Sequence, residues 1–315
     1  MAQFNFKAIG TTWKMDIYEK FSGDKKEVDA REAEILFHIM ARIELFDKAY
    51  SRFREDSLVT DISRGDERNK SGKNSESREY ILPDDAKLMM DLYHDLYVRT
   101  EGLVTPLIGQ LISDAGYDAK YSLQAKEKLQ SPPEWEEAID YKYPILTVKK
   151  PVLLDFGAIG KGYLIDLVAK VLEADGVAEY CIDAGGDILH KGVTPIRVGL
   201  ENPNNLGQVV GVYTLGNGSI CGSAGTRRKW HNKMGDFTHI INPVTMVSPK
   251  DVTAVWVTAE TAMLADAIAT CLFFVGAEKL SKKDEKGLSY SFEYLLIKSN
   301  RLYEKSPGFA GEMFV

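Results

Sequence analysis

Asp266 and Thr270 stand four residues apart in the small, apolar run Ala265-Asp266-Ala267-Ile268-Ala269-Thr270. On a helix that spacing puts a carboxylate and a hydroxyl on one face. Together they offer two hard oxygen ligands of the kind Mg²⁺ prefers, with the rest of its shell drawn from water, backbone carbonyl or substrate phosphate. The small apolar neighbours predict that Asp266 is buried, and a buried carboxylate needs a partner. A plainer reading of the pair is that Thr270 bonds its own helix and Asp266 caps a nearby loop.

Four other groups carry candidate chemistry. Leu154-Asp155-Phe156-Gly157-Ala158-Ile159-Gly160-Lys161-Gly162-Tyr163 reads as a buried strand, a glycine-rich turn with a lysine, and a helix start. Such a turn brings N–H groups and an ammonium against phosphate, or it is only a packing turn. It is neither G-x-G-x-x-G nor a Walker A sequence. Asp183-Ala184-Gly185-Gly186-Asp187 sets two carboxylates around a glycine pair, which is a ligand-contacting turn or a tight hairpin. In the run from Gly216 to Trp230, Ser223 and Thr226 lead into Arg227, Arg228 and Lys229. They can hold phosphate oxygens, or form a solvated loop. His239 precedes an apolar pair and the turn signal Asn242-Pro243, so it sits at a strand end with a structural or a catalytic role.

Elements must position these groups. Residues 8–18 alternate polar and apolar and predict a strand. Residues 29–50 predict an amphipathic helix with Ile35, Ile39, Ile43 and Phe46 on one face. The charged run 64–79 predicts a loop insertion. Pro83 and Asp84 open a second helix, with Leu88, Leu92 and Leu96 aligned, ending near Gly102. Thr105-Pro106-Leu107 begins a short turn, and Ser131-Pro132-Pro133 is too short for a domain linker. Strands are then expected at 145–148, 152–156, 180–183, 196–200, 209–215, 219–223, 252–257 and 290–298. Helices are expected at 163–174 and 260–273. Helices cluster early and strands late, which favours α+β.

The chain has 315 residues, 44% hydrophobic and 27% charged, with a formal net charge of −7. That balance is globular, and the absence of a basic excess argues against nucleic acid as a partner. Cys181, Cys221 and Cys271 are far apart and odd in number, which predicts buried free thiols in a reducing compartment. No stretch of about 18 apolar residues occurs, so no membrane span is expected.

Taken together and in order, these blocks resemble the ApbE-type FAD:protein FMN transferases, flavin transferases once described as thiamine-biosynthesis lipoproteins. Further matching blocks are Gly10-Thr11-Thr12-Trp13-Lys14-Met15, Phe46-Asp47-Lys48-Ala49-Tyr50-Ser51-Arg52-Phe53 and Gly102-Leu103-Val104-Thr105-Pro106-Leu107. The resemblance implies a single α+β domain over residues 1–315. Its helix-rich N-terminal half would pack on a strand-rich C-terminal half, with a Mg/FAD site between them. It also implies Mg²⁺-dependent transfer of FMN from FAD to a Ser or Thr hydroxyl of an acceptor flavoprotein, with release of AMP. The alternatives are FAD pyrophosphatase activity giving FMN and AMP, and flavin binding without turnover. By resemblance, the metal site falls on Asp266, Thr270 and backbone carbonyl in the turn Ala158 to Gly160. The flavin site falls on Met15, Asp166, Asp183, Ala184, Gly185, Gly186, Asp187 and Ser223. Lys161 and His239 are the catalytic candidates, Lys161 on phosphoryl oxygens and His239 as base. The chain departs from the family at Met246, where glycine is common, and at Gly160, where many members carry alanine. Many members also carry an export leader and a lipidation cysteine. Neither is seen here, so a cytoplasmic setting is expected, or a periplasmic one if a leader was trimmed.

Overall fold

Period-two alternation begins at the N-terminus. Strands β1 (Ala2–Ala8) and β2 (Thr11–Ile17) pair as an antiparallel hairpin. Residues 8–18 are thus one strand and the turn before it. Trp13, Met15 and Ile17 are buried, so the polar residues between them point to the opposite face. This is a computed structural model, and it describes residues 2–65, 76–226, 228–283 and 287–314.

Helix α1 (Lys25–Tyr50) starts four residues before the expected residue 29. Asp24 and Glu27 explain the extension: each side chain accepts from the other's backbone N–H at 2.9 Å, a capping box. Helix α2 (Leu58–Arg64) and strand β3 (Arg78–Ile81) follow, and the intervening part of the expected loop lies outside the described residues. Helix α3 (Ala86–Arg99) buries Met89, Met90, Tyr93 and Leu96, while Leu88 is 52% exposed. Each i,i+4 step drifts about 40° around a helix, so a Leu96-Leu92-Leu88 stripe walks off the core.

A 3₁₀ turn (Pro106–Ile108) leads into α4 (Gly109–Asp114), then α5 (Trp135–Ala138) and strands β4 (Ile139–Lys142) and β5 (Ile145–Val148). Residues 152–156 are not a strand. Val152, Leu154 and Phe156 are buried alternately, but the segment joins no sheet; the Asp155 N–H donates to the Pro106 carbonyl at 2.8 Å. Helix α6 (Gly160–Ala174) takes in Gly160-Lys161-Gly162, which the sequence assigns to the preceding turn.

The remaining elements are β6 (Tyr180–Ala184), β7 (Ile188–Lys191), β8 (Ile196–Asn202), β9 (Asn205–Leu215), β10 (Gly218–Ala224), β11 (Lys229–Asn232), β12 (Gly235–Thr238) and β13 (Val252–Ala259). They end with α7 (Ala262–Cys271), α8 (Ala277–Ser281), β14 (Glu293–Lys298), β15 (Tyr303–Lys305) and β16 (Glu312–Met313). The main sheet has the order β1-β2-β6-β7-β10-β13-β14-β15. Its strands are antiparallel, with the helices on one face, so the class is α+β. β1 and β2 come from the first half of the chain and the other six from the second, so the halves share one sheet. A smaller sheet, β16-β9-β8, packs on part of the opposite face through Leu200, Leu215, Ile220 and Trp256. Cys181, Cys221 and Cys271 are buried free thiols. No helix among the described residues is long and apolar enough to cross a membrane.

Candidate functional site

Four elements meet at Lys161. The first turn of α6 presents its ammonium between Asp187, at the end of the β6–β7 turn, and Asp266 of α7, at 3.2 Å from the latter. The Gly162 N–H donates to the other Asp266 oxygen at 2.9 Å, and the Gly222 N–H of β10 donates to Asp187 at 3.0 Å. Both carboxylates are 2% exposed. Burial pushes the Asp266 carboxyl up to about 6, and the nearby Asp187 charge adds to the rise while Lys161 opposes it. Burial works against the Lys161 charge, but the two carboxylates outweigh it and hold the ammonium protonated well beyond neutral pH.

The approach of α6 to α7 depends on Gly162. A methyl group there would lie 2.1 Å from the Ala262 carbonyl oxygen and 2.8 Å from Asp266 Cβ. Only a glycine lets the helices come this near. Gly185 and Gly186 turn the β6–β7 connection with φ of 75° and 102°. Asp183 closes that turn by accepting from the Gly186 N–H at 2.8 Å. Burial raises its carboxyl above the usual range.

These groups border a cavity of about 1410 Å³. Lys161, Asp183, Ala184, Gly185, Gly186 and Asp187 line it. So do Ala158, Gly160, Ser223, His239, Asp266 and Thr270. Two expected flavin residues do not. Met15 faces the core, and its neighbours Lys14 and Asp16 line the cavity, because adjacent strand residues point to opposite faces. Asp166 accepts from the N–H groups of Ala262 and Met263 at 2.9 and 2.8 Å, so it caps α7 from behind the cavity wall. Burial lifts its carboxyl to about 6. Thr270 donates to its own helix carbonyl, that of Asp266, at 3.3 Å.

The sequence assigned no role to an aromatic slot that lines the same cavity. Phe53 stacks on Tyr121 at 5.2 Å, and Tyr117 meets both edge-on. The Arg52 guanidinium lies 4.2 Å from the Phe53 ring centre and pairs with Asp155, which also accepts from the Gly157 N–H. Its buried Nη2 has no partner among the described residues. The signal for this slot was Tyr50-Ser51-Arg52-Phe53, aromatic and cationic residues directly after a helix end.

His239 follows β12 and is half-buried, with its Nδ1 likewise unpartnered. Burial lowers its pKa to about 3, helped by the charges of Arg228 and Lys161. In the unfolded chain it titrates near 6.5, so below that pH the unfolded state binds the extra proton. This contribution to stability is complete above pH 6.5 and is lost as the pH falls from there toward 3. His239→Gln should therefore lose about 2 kcal/mol less stability than the parent between pH 7 and pH 5. Urea midpoints measured across that range check it; parallel curves would refute the burial assignment. Nearby, Met246 adopts a φ of +57°, the left-handed shape that glycine favours. The Asn242 side chain secures the loop by accepting from the N–H groups of Val244 and Thr245, both at 2.9 Å.

Among the described residues no group of three or more histidine, cysteine or carboxylate side chains is placed to hold a metal ion. A hard cation here would rely on the Asp266 carboxylate, the Thr270 hydroxyl, carbonyls of the Ala158–Gly160 turn and oxygens of a ligand. The residues fit that chemistry, because the Lys161 ammonium already holds positive charge between two buried carboxylates.

Known proteins share this architecture. The ApbE family model matches residues 9–291. An FAD:protein FMN transferase of Klebsiella pneumoniae (strain 342) is 22% identical over 324 aligned positions, covering 96% of this chain and 87% of that protein. One from Rhodobacter capsulatus is 30% identical over 209 residues, 63% of this chain and 40% of the length of that relative. The crystal structure of the ApbE protein of Thermotoga maritima superposes with a TM-score of 0.77 at 18% identity, covering 98% of this chain and 97% of that one. The flavin transferase ApbE from Vibrio cholerae gives 0.73 at 19% identity, with the same coverage. With a family match through most of its length and a fold shared nearly end to end, this chain belongs to the ApbE family.

Proposed function

We propose that this protein is an FAD:protein FMN transferase, moving FMN from FAD to a Ser or Thr hydroxyl of an acceptor flavoprotein and releasing AMP. Family membership supports the reaction class. The observation that carries the reading is that one cavity holds both an aromatic slot and a buried lysine–carboxylate cluster. The outward faces of this aromatic cluster suit stacking by a planar ring. The cluster suits a pyrophosphate and its counter-cation.

Asp266, Thr270 and the carbonyls of Ala158 and Gly160 are the proposed holders of Mg²⁺. When bound, Mg²⁺ supplies charge neutralisation for the pyrophosphate. The acceptor oxygen attacks the FMN phosphorus, the bond to the AMP oxygen breaks, and the hydroxyl proton passes to a base. His239 is the proposed base. An imidazole with a pKa near 3 is a weak one, but phosphate charge beside it offsets Arg228 and Lys161 and raises its basicity. Lys161 and the nearby backbone N–H groups hold charge on the phosphoryl oxygens.

Incubation with FAD and Mg²⁺, with and without an acceptor, tests the proposal by mass spectrometry. Covalent FMN on the acceptor is the expected result. FMN and AMP in equal amounts without adduct would make it a pyrophosphatase, and intact FAD would make it a binder. His239→Ala should slow transfer by a factor of about 10² to 10⁴; a near-parental rate would remove the histidine from the chemistry.

A further inference from the structure

We infer that strand β8 is a docking edge for the acceptor, along which an extended, hydroxyl-bearing protein segment pairs and is led toward Lys161. This rests on the transferase reading. The cavity, at about 1410 Å³, exceeds the roughly 300–1,000 Å³ usual for small-molecule sites. The surplus extends over the β8–β9 hairpin, where Ile196, Arg197, Val198 and Gly199 line it in succession. Side chains of a strand alternate between faces. Four consecutive lining residues on β8, and four more on β9 from Leu206 to Val209, mean that the cavity runs over the backbone of the hairpin and not along one row of side chains.

β8 is also the end strand of its sheet. The order is β16-β9-β8, and among the described residues β9 is its one neighbour. The outward edge of such a strand offers a row of N–H and C=O groups to an added strand. Leu206 and Val209 line the same lobe at 50% and 44% exposure, giving side-chain contacts beside that edge. Lys14 and Asp16 also line the cavity and pair at 3.1 Å, and Arg197 and Glu201 of β8 add one charge of each sign to the lining. Main-chain donors and acceptors with half-exposed apolar side chains suit a peptide and not a second phosphate group. Continuity of this lobe with the Lys161 cluster puts the peptide's hydroxyl within the same cavity as the reacting pyrophosphate.

The probe is the apo form of a protein flavinylated by the Klebsiella pneumoniae relative. With the full-length protein and FAD, the probe should slow hydrogen exchange of amides in Ile196–Asn202 at least tenfold, while FAD alone leaves them unchanged. The double variant Leu206→Asp/Val209→Asp should raise the KM for the probe at least tenfold. FAD affinity and acceptor-free FAD cleavage should stay within twofold. Protection that is absent from β8, or an unchanged KM in the double variant, overturns the docking edge. Protection of β8 without any cleavage of FAD would uphold the docking edge and sink the transferase reading.

Discussion

Asp266→Asn is expected to cut FAD turnover about a thousandfold or more while leaving the protein folded. The carboxylate is buried on α7, faces the cavity and holds the Gly162 N–H and the Lys161 ammonium. Asparagine keeps the shape and one acceptor oxygen for Gly162. It removes the charge on which a cation and the lysine position both depend. Loss of several kcal/mol of charge stabilisation corresponds to roughly three decades or more in rate. Stability should change little, because the carboxylate is costly to bury when charged, as its raised pKa records. Asp166→Asn is the contrasting variant. That side chain caps α7 without lining the cavity, so the loss should be about 1 kcal/mol of stability with turnover retained. Steady-state AMP release in the presence of an acceptor and denaturant unfolding on both proteins decide the matter. Asp266→Asn retaining a tenth of parental turnover would exclude the proposed metal role.

Gly162→Ala should destabilise the fold by about 3 kcal/mol, lowering the unfolding temperature by roughly 5 °C. The sign is opposite to the usual one. Alanine inside a helix is ordinarily worth up to about 1 kcal/mol over glycine. Here the added methyl lies 2.1 Å from a backbone oxygen and 2.8 Å from Asp266 Cβ, so α6 and α7 must move apart. Backbone cannot yield as a flexible side chain does, and the strain exceeds the helix gain. The shift also pulls Asp266 from Lys161, so turnover should fall with stability. An unfolding midpoint equal to the parent's would show that the helices have slack.

Local pattern carried much of this into the sequence. Ile35, Ile39, Ile43 and Phe46 marked α1, but the Asp24/Glu27 capping box, eleven residues ahead of Ile35, went unread and the expected start at residue 29 fell four residues late. The Asp266/Thr270 spacing lies on a helix in the structure, and both residues line the cavity. Failures came where pairing or phase decides. Residues 152–156 alternate like a strand, but no strand pairs with them among the described residues, and a pairing partner is not written in local spacing. Met15 matched a family block, yet its strand phase sends it to the core with Trp13 and Ile17. Arg52 and Asp155 are 103 residues apart and form a buried pair, and nothing near either residue announces the other. Likewise the clamp on Lys161 draws on Asp187, 26 residues away, and Asp266, 105 away.

Those long separations bear on how the molecule assembles. The Gly162 and Gly222 amides are held by carboxylates 104 and 35 residues away, so neither bond forms as its own helix or strand does. Contacts of such sequence range require the loop entropy of the intervening chain to be lost first. The Lys161 cluster is therefore expected to close late in folding, after β6, β7 and β10 have come into register and α7 has docked on α6. Solvent can reach those two amides only when that docking comes undone, and their exchange rates measure the opening of the whole sheet–helix interface.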